Sequence, residues 1–323
     1  MELAQNLIYS LNVVTPIFLL VFLGWLLKRK KVFSDKFFSS CDKFVFRIAL
    51  PSMIFLDVST TRIKEVSEYT PLIVFCGVSL ITAFIIGALI VPLFIHDKAK
   101  VGAFVQGIAR ANFAILGIPI AYNMFGEDGT RLVSILLPEV ILIGNILVVI
   151  ILSVFNPKCQ KTSKREMFFN ISKSIIKNPL IIAVIIALPF MFIPSIELPI
   201  FAERTLSYLS DATMSLALIS LGACITIASF KGRFLYSITA TVIRLVFLPL
   251  IAVMVAWLLG FSGMQISIIF LLFGVPTAVS SYIMAKQMDS DYELAGLILL
   301  FTTLFGVFTL FLGVFLIKTV GWI

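Results

Sequence analysis

Two stretches carry residue types and spacing from which a binding site could be built. They are Asn112-Phe-Ala-Ile-Leu-Gly117-Ile118-Pro119 and Gly274-Val275-Pro276-Thr277-Ala-Val-Ser280-Ser281. Each puts a Gly-x-Pro in the middle of an apolar run long enough to cross a bilayer, where proline removes a backbone donor and no water replaces it. A break there has to be sheltered by protein or line a wet cavity. Where a helix stops in mid-membrane, the next half-helix begins with free N–H groups and the positive end of its dipole, which together favour a carboxylate. Asn112 can donate its amide to such an anion, and Thr277, Ser280, Ser281 and Tyr282 add hydroxyls just after Pro276. The same groups could instead satisfy carbonyls freed by the breaks, and taken singly they do not choose between the two roles. Two matched breaks in corresponding segments of two halves point to a transporter's binding site.

The elements that must position these residues follow from composition. The chain has 323 residues, 60% of them hydrophobic, with 31 Phe and a mean hydropathy of +1.10. That is far too apolar for a soluble domain of this length, so the expected class is an all-α integral membrane protein. A net charge of +8 raises the question of nucleic acid, but no basic patch carries interleaved aromatics, and no nucleic-acid partner is expected. Cys41, Cys76, Cys159 and Cys224 have neither metal-site nor disulfide-framework spacing and read as reduced fillers. The first apolar run, Leu7–Leu27, is full-length and lacks a small-residue cleavage site, so it reads as a span and not as a leader.

A spanning helix needs about 20 mostly apolar residues. Ten runs meet that need, near Leu7–Leu27, Phe37–Leu56, Tyr69–Ile95, Val101–Phe125, Leu132–Phe155, Ile171–Ile193, Leu206–Ile227, Phe234–Leu259, Ile266–Met284 and Leu294–Ile317. The odd-numbered connections hold most of the Lys and Arg, including Lys28, Arg29, Lys30, Lys31, Lys98, Lys100, Lys164 and Arg165. The other side holds only Arg62, Lys64, Arg131, Arg204 and Lys318. The positive-inside rule then puts the odd connections in the cytoplasm and both termini outside a cell membrane.

Five helices per half force the halves into opposite orientation: residues 1–155 as a first repeat, 156–170 as a short cytoplasmic linker, and 171–323 as an inverted second repeat. Echoes between the halves support this reading. Thr15-Pro16 answers Asn178-Pro179, Cys41-Asp42 answers Ser210-Asp211, and Gly117-Ile-Pro119 answers Gly274-Val-Pro276, the last being the most informative.

Ionisable residues within spans are expensive and are expected to face protein or a cavity. Asp42 and Lys43 lie near a helix end and read as interfacial anchors, with Arg47 a possible partner of Asp42. Arg110, Glu139 and Arg244 lie deep. An ion pair of either arginine with Glu139 or Asp211 is the expected arrangement, ahead of substrate contact. Glu139, behind Pro138, is also a candidate proton carrier if an arginine approaches it in only one access state. Carbonyls at Gly117 and Gly274 are rival ligands for sodium. No other cofactor and no metal site is expected.

Enzyme chemistry fits poorly. A zinc protease needs a His-Glu-x-x-His motif, yet His96 is the only histidine. Asp42 and Asp211 lack the Gly-x-Gly-Asp context of intramembrane aspartyl proteases, and no Gly-x-Ser-x-Gly elbow is present. A channel remains the third possibility, separable from a carrier by counterflow.

Several motifs resemble the auxin efflux carrier family: Asn112 with Gly117-Ile118-Pro119, Leu216-Ala-Leu-Ile-Ser-Leu-Gly222, Arg244-Leu-Val-Phe-Leu-Pro249 and Ala285-Lys286-Gln287. The likeness runs over nearly the whole chain. That family includes plant auxin carriers and bacterial carriers of small carboxylates, and its fold is similar to that of bile-acid/sodium symporters. The resemblance implies ten helices in two inverted repeats, with helices four and nine broken and crossing. It also implies an elevator, with helices 1, 2, 6 and 7 as scaffold and 3, 4, 5, 8, 9 and 10 as transport core. The expected function is secondary active efflux or exchange of a small organic anion, a carboxylate or auxin-like acid, and a sodium-coupled organic-anion symporter is the alternative. A homodimer through the scaffold is implied as well, and the small residues Ala212, Ser215, Ala217, Ser220, Gly222 and Ala223 suit helix seven to close packing within or between subunits. The chain departs from the family's second crossover, where plant carriers place a proline near Ser281 and bacterial relatives often an asparagine near Ser280.

Overall fold

In the computed structural model the described residues are 2–60, 69–160, 169, 172–173, 175–193, 196, 198–224, 227–261 and 263–319. Caps start several helices where the sequence supplies them. Ser34 accepts from the Phe37 amide to open α2 (Asp35–Phe44), and Asp97 accepts from Ala99 to open α5 (Lys98–Ala109). Asn178 accepts from Leu180 to open α7 (Pro179–Phe192), with Pro179 in the first turn where its missing donor costs nothing. The remaining helices are α1 (Glu2–Arg29), α3 (Leu50–Ser59), α4 (Thr70–Phe94), α6 (Phe113–Val154), α8 (Ile200–Cys224), α9 (Phe234–Val242), α10 (Leu248–Leu258), α11 (Met264–Gly274), α12 (Ser280–Gln287) and α13 (Tyr292–Thr319).

Proline leaves the same mark twice. Just before Pro51 a π turn, Val45–Ala49, joins α2 to α3, and just before Pro249 another, Ile243–Phe247, joins α9 to α10. In each the ladder widens locally, with Leu50 N donating to Val45 O and Leu248 N to Ile243 O. Such one-turn widenings keep a helix continuous while re-aiming its side chains.

At Gly126 the helical φ/ψ values fail inside α6, where φ is 64° and ψ −140°. A Cβ on Gly129 would touch the carbonyl oxygen of Ala121. Eight residues of straight helix would separate those positions by about 12 Å, so the chain doubles back at Gly126 and α6 is a helical hairpin.

Two groups of helices pack mainly among themselves. In one, α1 lies along α8, and α3 packs on α7 and α8; in the other, α4 packs on α5 and α6, α9 and α12 on α13, and α11 on α10 and α6. The seam of α1 and α8 is backbone against backbone. A Cβ on Gly24 would collide with the carbonyl oxygen of Ile219, and one on Gly222 with that of Val21. Gly222 and its buried neighbours Ala217, Ser220 and Ala223 therefore face inward, within the subunit. Among the described residues, five helical segments are long and apolar enough to cross a membrane: Thr70–Phe94, Ile120–Val154 (which contains the Gly126 turn), Ile200–Cys224, Phe234–Leu258 and Tyr292–Ile317. Exposed apolar side chains such as Val78, Ile85, Leu89, Leu250, Met254 and Trp257 cover outward faces of the kind a lipid bilayer solvates.

Candidate functional site

The two interrupted segments meet. Helix α5 stops at Ala109 and α6 starts at Phe113; α11 stops at Gly274 and α12 starts at Ser280. Between them, Ala111 and Thr277 pair as an antiparallel bridge, and the Asn112 amide donates to Pro276 O at 2.9 Å. Proline 276 contributes only its carbonyl to this crossing, and Gly306 on α13 makes room for its ring, since a Cβ there would lie 2.7 Å from Pro276 Cγ.

Second-half Gly-x-Pro and helix end coincide, but in the first half they do not. The non-helical residues are 110–112, and Gly117, Ile118 and Pro119 lie within the first turns of α6. The helix end is set instead by long-range partners. The Thr277 hydroxyl donates to Gly107 O, and Gln106 Nε2 donates to Ser281 O at 3.1 Å.

Arg244 is the common partner of both breaks. Its position in the second π turn aims a wholly buried guanidinium at the crossing, where Nε donates to Val275 O at 2.9 Å and Nη2 to Leu272 O at 3.0 Å. Nη1 donates to Ile108 O at 3.2 Å and Ala109 O at 3.4 Å. Carbonyls in the last turn of a helix have no intrahelical donor, and a cation there complements the negative end of the dipole. The arginine thus offsets two helix C-termini at once. Arg110 takes a different partner set, donating from Nη2 to Asn145 Oδ1 at 2.7 Å and from Nη1 to Met284 Sδ. Among the described residues neither arginine bonds a carboxylate, and in place of the expected pairing with Glu139 or Asp211 stand carbonyl, amide and thioether acceptors. Glu139 sits on α6 with Oε1 against Gly77 of α4, and its buried Oε2 has no hydrogen-bond partner among the described residues.

A cavity of about 410 Å³ opens beside the crossing. Arg110 and Asn112 from the first break and Ser280 from the second border it, with Asn145 of α6 next to Arg110. The Asn112 side chain does not cap α6. The facing wall carries Asp57 of α3 and Ser210, Asp211 and Thr213 of α8. Of the other expected binding residues, Gly117, Ile118, Gly274, Val275, Pro276, Thr277, Ser281 and Tyr282 lie outside this lining. Thr277 is wholly buried and bonded to Gly107 and, through its amide, to Thr302 Oγ1 at 3.3 Å. Pro119 is placed only by its backbone.

Asp42 corrects the reading of an interfacial anchor. It is wholly buried, accepts from Ser220 of α8 and pairs with Lys286 of α12. Lys286 Nζ also reaches the Tyr282 hydroxyl at 3.0 Å and Cys224 Sγ at 2.9 Å. Arg47 is exposed and does not join this cluster. Sequence reasoning missed Asn145, Gln106 and Asp57. Asp57 stands one residue beyond the expected end of the second run, and an acidic residue that close to a span was the available signal.

Comparison with known proteins bears on the family and the overall fold. The profile of the family described as "Membrane transport protein" matches residues 9–314. An uncharacterized transporter of Methanocaldococcus jannaschii is 25% identical, over 97% of this chain and 98% of its own. A Rhizobium meliloti protein named "Putative malonate transporter" is 24% identical, over 95% of this chain and 96% of its own. The solved structure of the sodium proton antiporter MjNhaP1 from M. jannaschii at pH 8 is similar in fold, with a TM-score of 0.52, 13% identity, and coverage of 98% of this chain and 95% of that one. With broken helices, lipid-facing surfaces and a family match over nearly its whole length, the chain belongs to the membrane transport protein family, the auxin efflux carrier family its motifs resemble, and is a multi-pass membrane transporter.

Proposed function

We propose that this transporter is a secondary active carrier that moves a small carboxylate-bearing solute across the cell membrane by alternating access. One observation carries the reading: Arg110 and Asn112 from one broken helix and Ser280 from the other border a single cavity of about 410 Å³, a size that encloses a small ligand. A guanidinium, an amide and a hydroxyl supply charge-assisted and neutral donors for a carboxylate. The Rhizobium relative's name makes malonate a first substrate to try.

The proposed architecture is ten spans in two inverted repeats, 1–155 and 171–323, with both termini outside. Helices 1, 2, 6 and 7 form the scaffold of an elevator, the rest form its transport core, and a homodimer assembles through the scaffold. The division of packing into two groups supports the split, with α1, α3, α7 and α8 in one and the broken helices in the other. In proteoliposomes, unlabelled substrate inside should accelerate entry of labelled substrate, and Asn112→Ala should slow that exchange at low substrate concentration. Flux without trans-acceleration would make the protein a channel instead.

A coupling ion is the second reading, favoured by Gln106 Oε1 and Ser281 Oγ, which are buried at the crossing without a partner among the described residues. Neutral oxygens of this kind suit sodium. Glu139 is the rival as a proton carrier. Uptake that follows sodium at fixed pH supports the first, whereas uptake that follows an imposed pH gradient and is lost in Glu139→Gln supports the second.

A further inference from the structure

The Arg110 guanidinium is held in place without being neutralised. It is buried at the edge of the cavity, and two uncharged atoms take its hydrogen bonds, Asn145 Oδ1 from Nη2 at 2.7 Å and Met284 Sδ from Nη1. A guanidinium carries five N–H donors, so Nε and one hydrogen on each Nη are left without an acceptor among the described residues. The Asn145 amide has one orientation that serves both of its neighbours. Its Nδ2 donates at 2.8 Å to Ile141 O, which can only accept, and its Oδ1 is left for the arginine, which can only donate. Asparagine and aspartate have nearly the same shape, and a carboxylate in this place would accept from Arg110 more strongly than the amide does. Two carboxylates do border the cavity, Asp57, which has a partner of its own, and Asp211, which is exposed. Neither is hydrogen-bonded to Arg110. Buried cations are ordinarily paired, so neutral acceptors on both sides leave that pairing to whatever enters the cavity.

We propose that Asn145 determines the charge specificity of this site: as an amide it positions Arg110, and as an uncharged group it reserves the guanidinium for an anionic solute. This rests on the cavity being the substrate site. Met284, on the second broken segment, plays the same part from the other side of the guanidinium. Two roles for Asn145 then come apart. A tether needs only an acceptor at position 145, which aspartate also supplies, whereas a charge filter needs an acceptor that carries no charge. A carboxylate there would occupy Arg110 before any solute arrived, and the solute's own carboxylate would meet a like charge.

Counterflow with purified protein in liposomes tests this, with malonate, propionate and succinate as probes and a melting curve for each variant. Asn145→Asp, which keeps the shape and the acceptor, should raise the concentration for half-maximal exchange of the transported probe tenfold or more. Asn145→Ser, which weakens the tether but adds no charge, should raise it less. Met284→Glu brings a carboxylate to the guanidinium from the opposite side and should act like Asn145→Asp; it also carries the test if that variant does not fold. A tether alone predicts the reverse order, with Asn145→Asp close to the parent and Asn145→Ser the more impaired. That order, or parent-like exchange in Asn145→Asp and Met284→Glu, would overturn the proposal and leave the carboxylate-carrier reading standing. If the parent exchanges none of the three probes while melting as a folded protein, both readings fall together.

Discussion

Lys286 of α12 and Asp42 of α2 form an ion pair across the line where the two helix groups meet, and the carboxylate is wholly buried. Ser220 donates to the same carboxylate, and the rings of Tyr282 and Tyr292 lie 5.4 and 5.2 Å from the ammonium. Removing one member of such a pair strands the other charge. Asp42→Asn or Lys286→Met should therefore cost about 3 kcal/mol each, whereas the double variant should lie nearer the parent than either single change. Melting curves in detergent read the difference, and strictly additive losses would mean the pair is not energetically coupled.

Arg244 should resist even its conservative replacement. Lysine keeps the charge but offers a single nitrogen where the guanidinium serves four carbonyls on two helix ends. Arg244→Lys is expected to lower stability by about 2–4 kcal/mol and to cut transport at least tenfold. Parent-like melting in that variant would show that the carbonyls find other donors.

Asn112, Ser280 and Thr277 are separable by what they do. The first two border the cavity, so Asn112→Ala and Ser280→Ala should raise the substrate concentration for half-maximal transport and leave melting nearly unchanged. Thr277 holds Gly107 instead, and Thr277→Val should cost about 1–3 kcal/mol of stability because the buried carbonyl loses its donor. The contrast between the two effects is the measurement.

Gly306 is predicted to be intolerant of size. An added Cβ already meets the Pro276 ring at 2.7 Å, and that ring is fixed by the crossing, so Gly306→Val should overpack the site by about 1–3 kcal/mol. Transport should fall with stability, and an unchanged melting point would show that α13 can shift away.

Much of this was legible in the sequence, and what was not has a common cause. The second break follows directly from Gly274-x-Pro276, because a proline there forbids the next helical bond. The first break lies some two turns before Gly117-x-Pro119. Its position depends on Arg244 and Thr277, which take the carbonyls of residues more than a hundred positions away. Local rules carry no record of such partners. The same holds for Asp42: an acidic residue near a helix end reads as an anchor until Lys286, distant in the chain, is placed beside it. Arg110 shows the reverse case, where an expected carboxylate partner is replaced by Asn145, whose own amide is oriented by Ile141 O at 2.8 Å.

The glycine seam of α1 and α8 has a mechanical meaning. At Gly24 and Gly222 each backbone rests on the carbonyl of the other, and every residue flanking these glycines carries a side chain. Shifting α8 along α1 by a helical turn would bring a side chain such as that of Leu218 to where Gly222 now rests on a peptide oxygen, so the seam strongly favours one register. Displacement in this protein must then be taken up elsewhere, at joints filled by side chains that can exchange partners. The seam is the datum from which any such travel is measured.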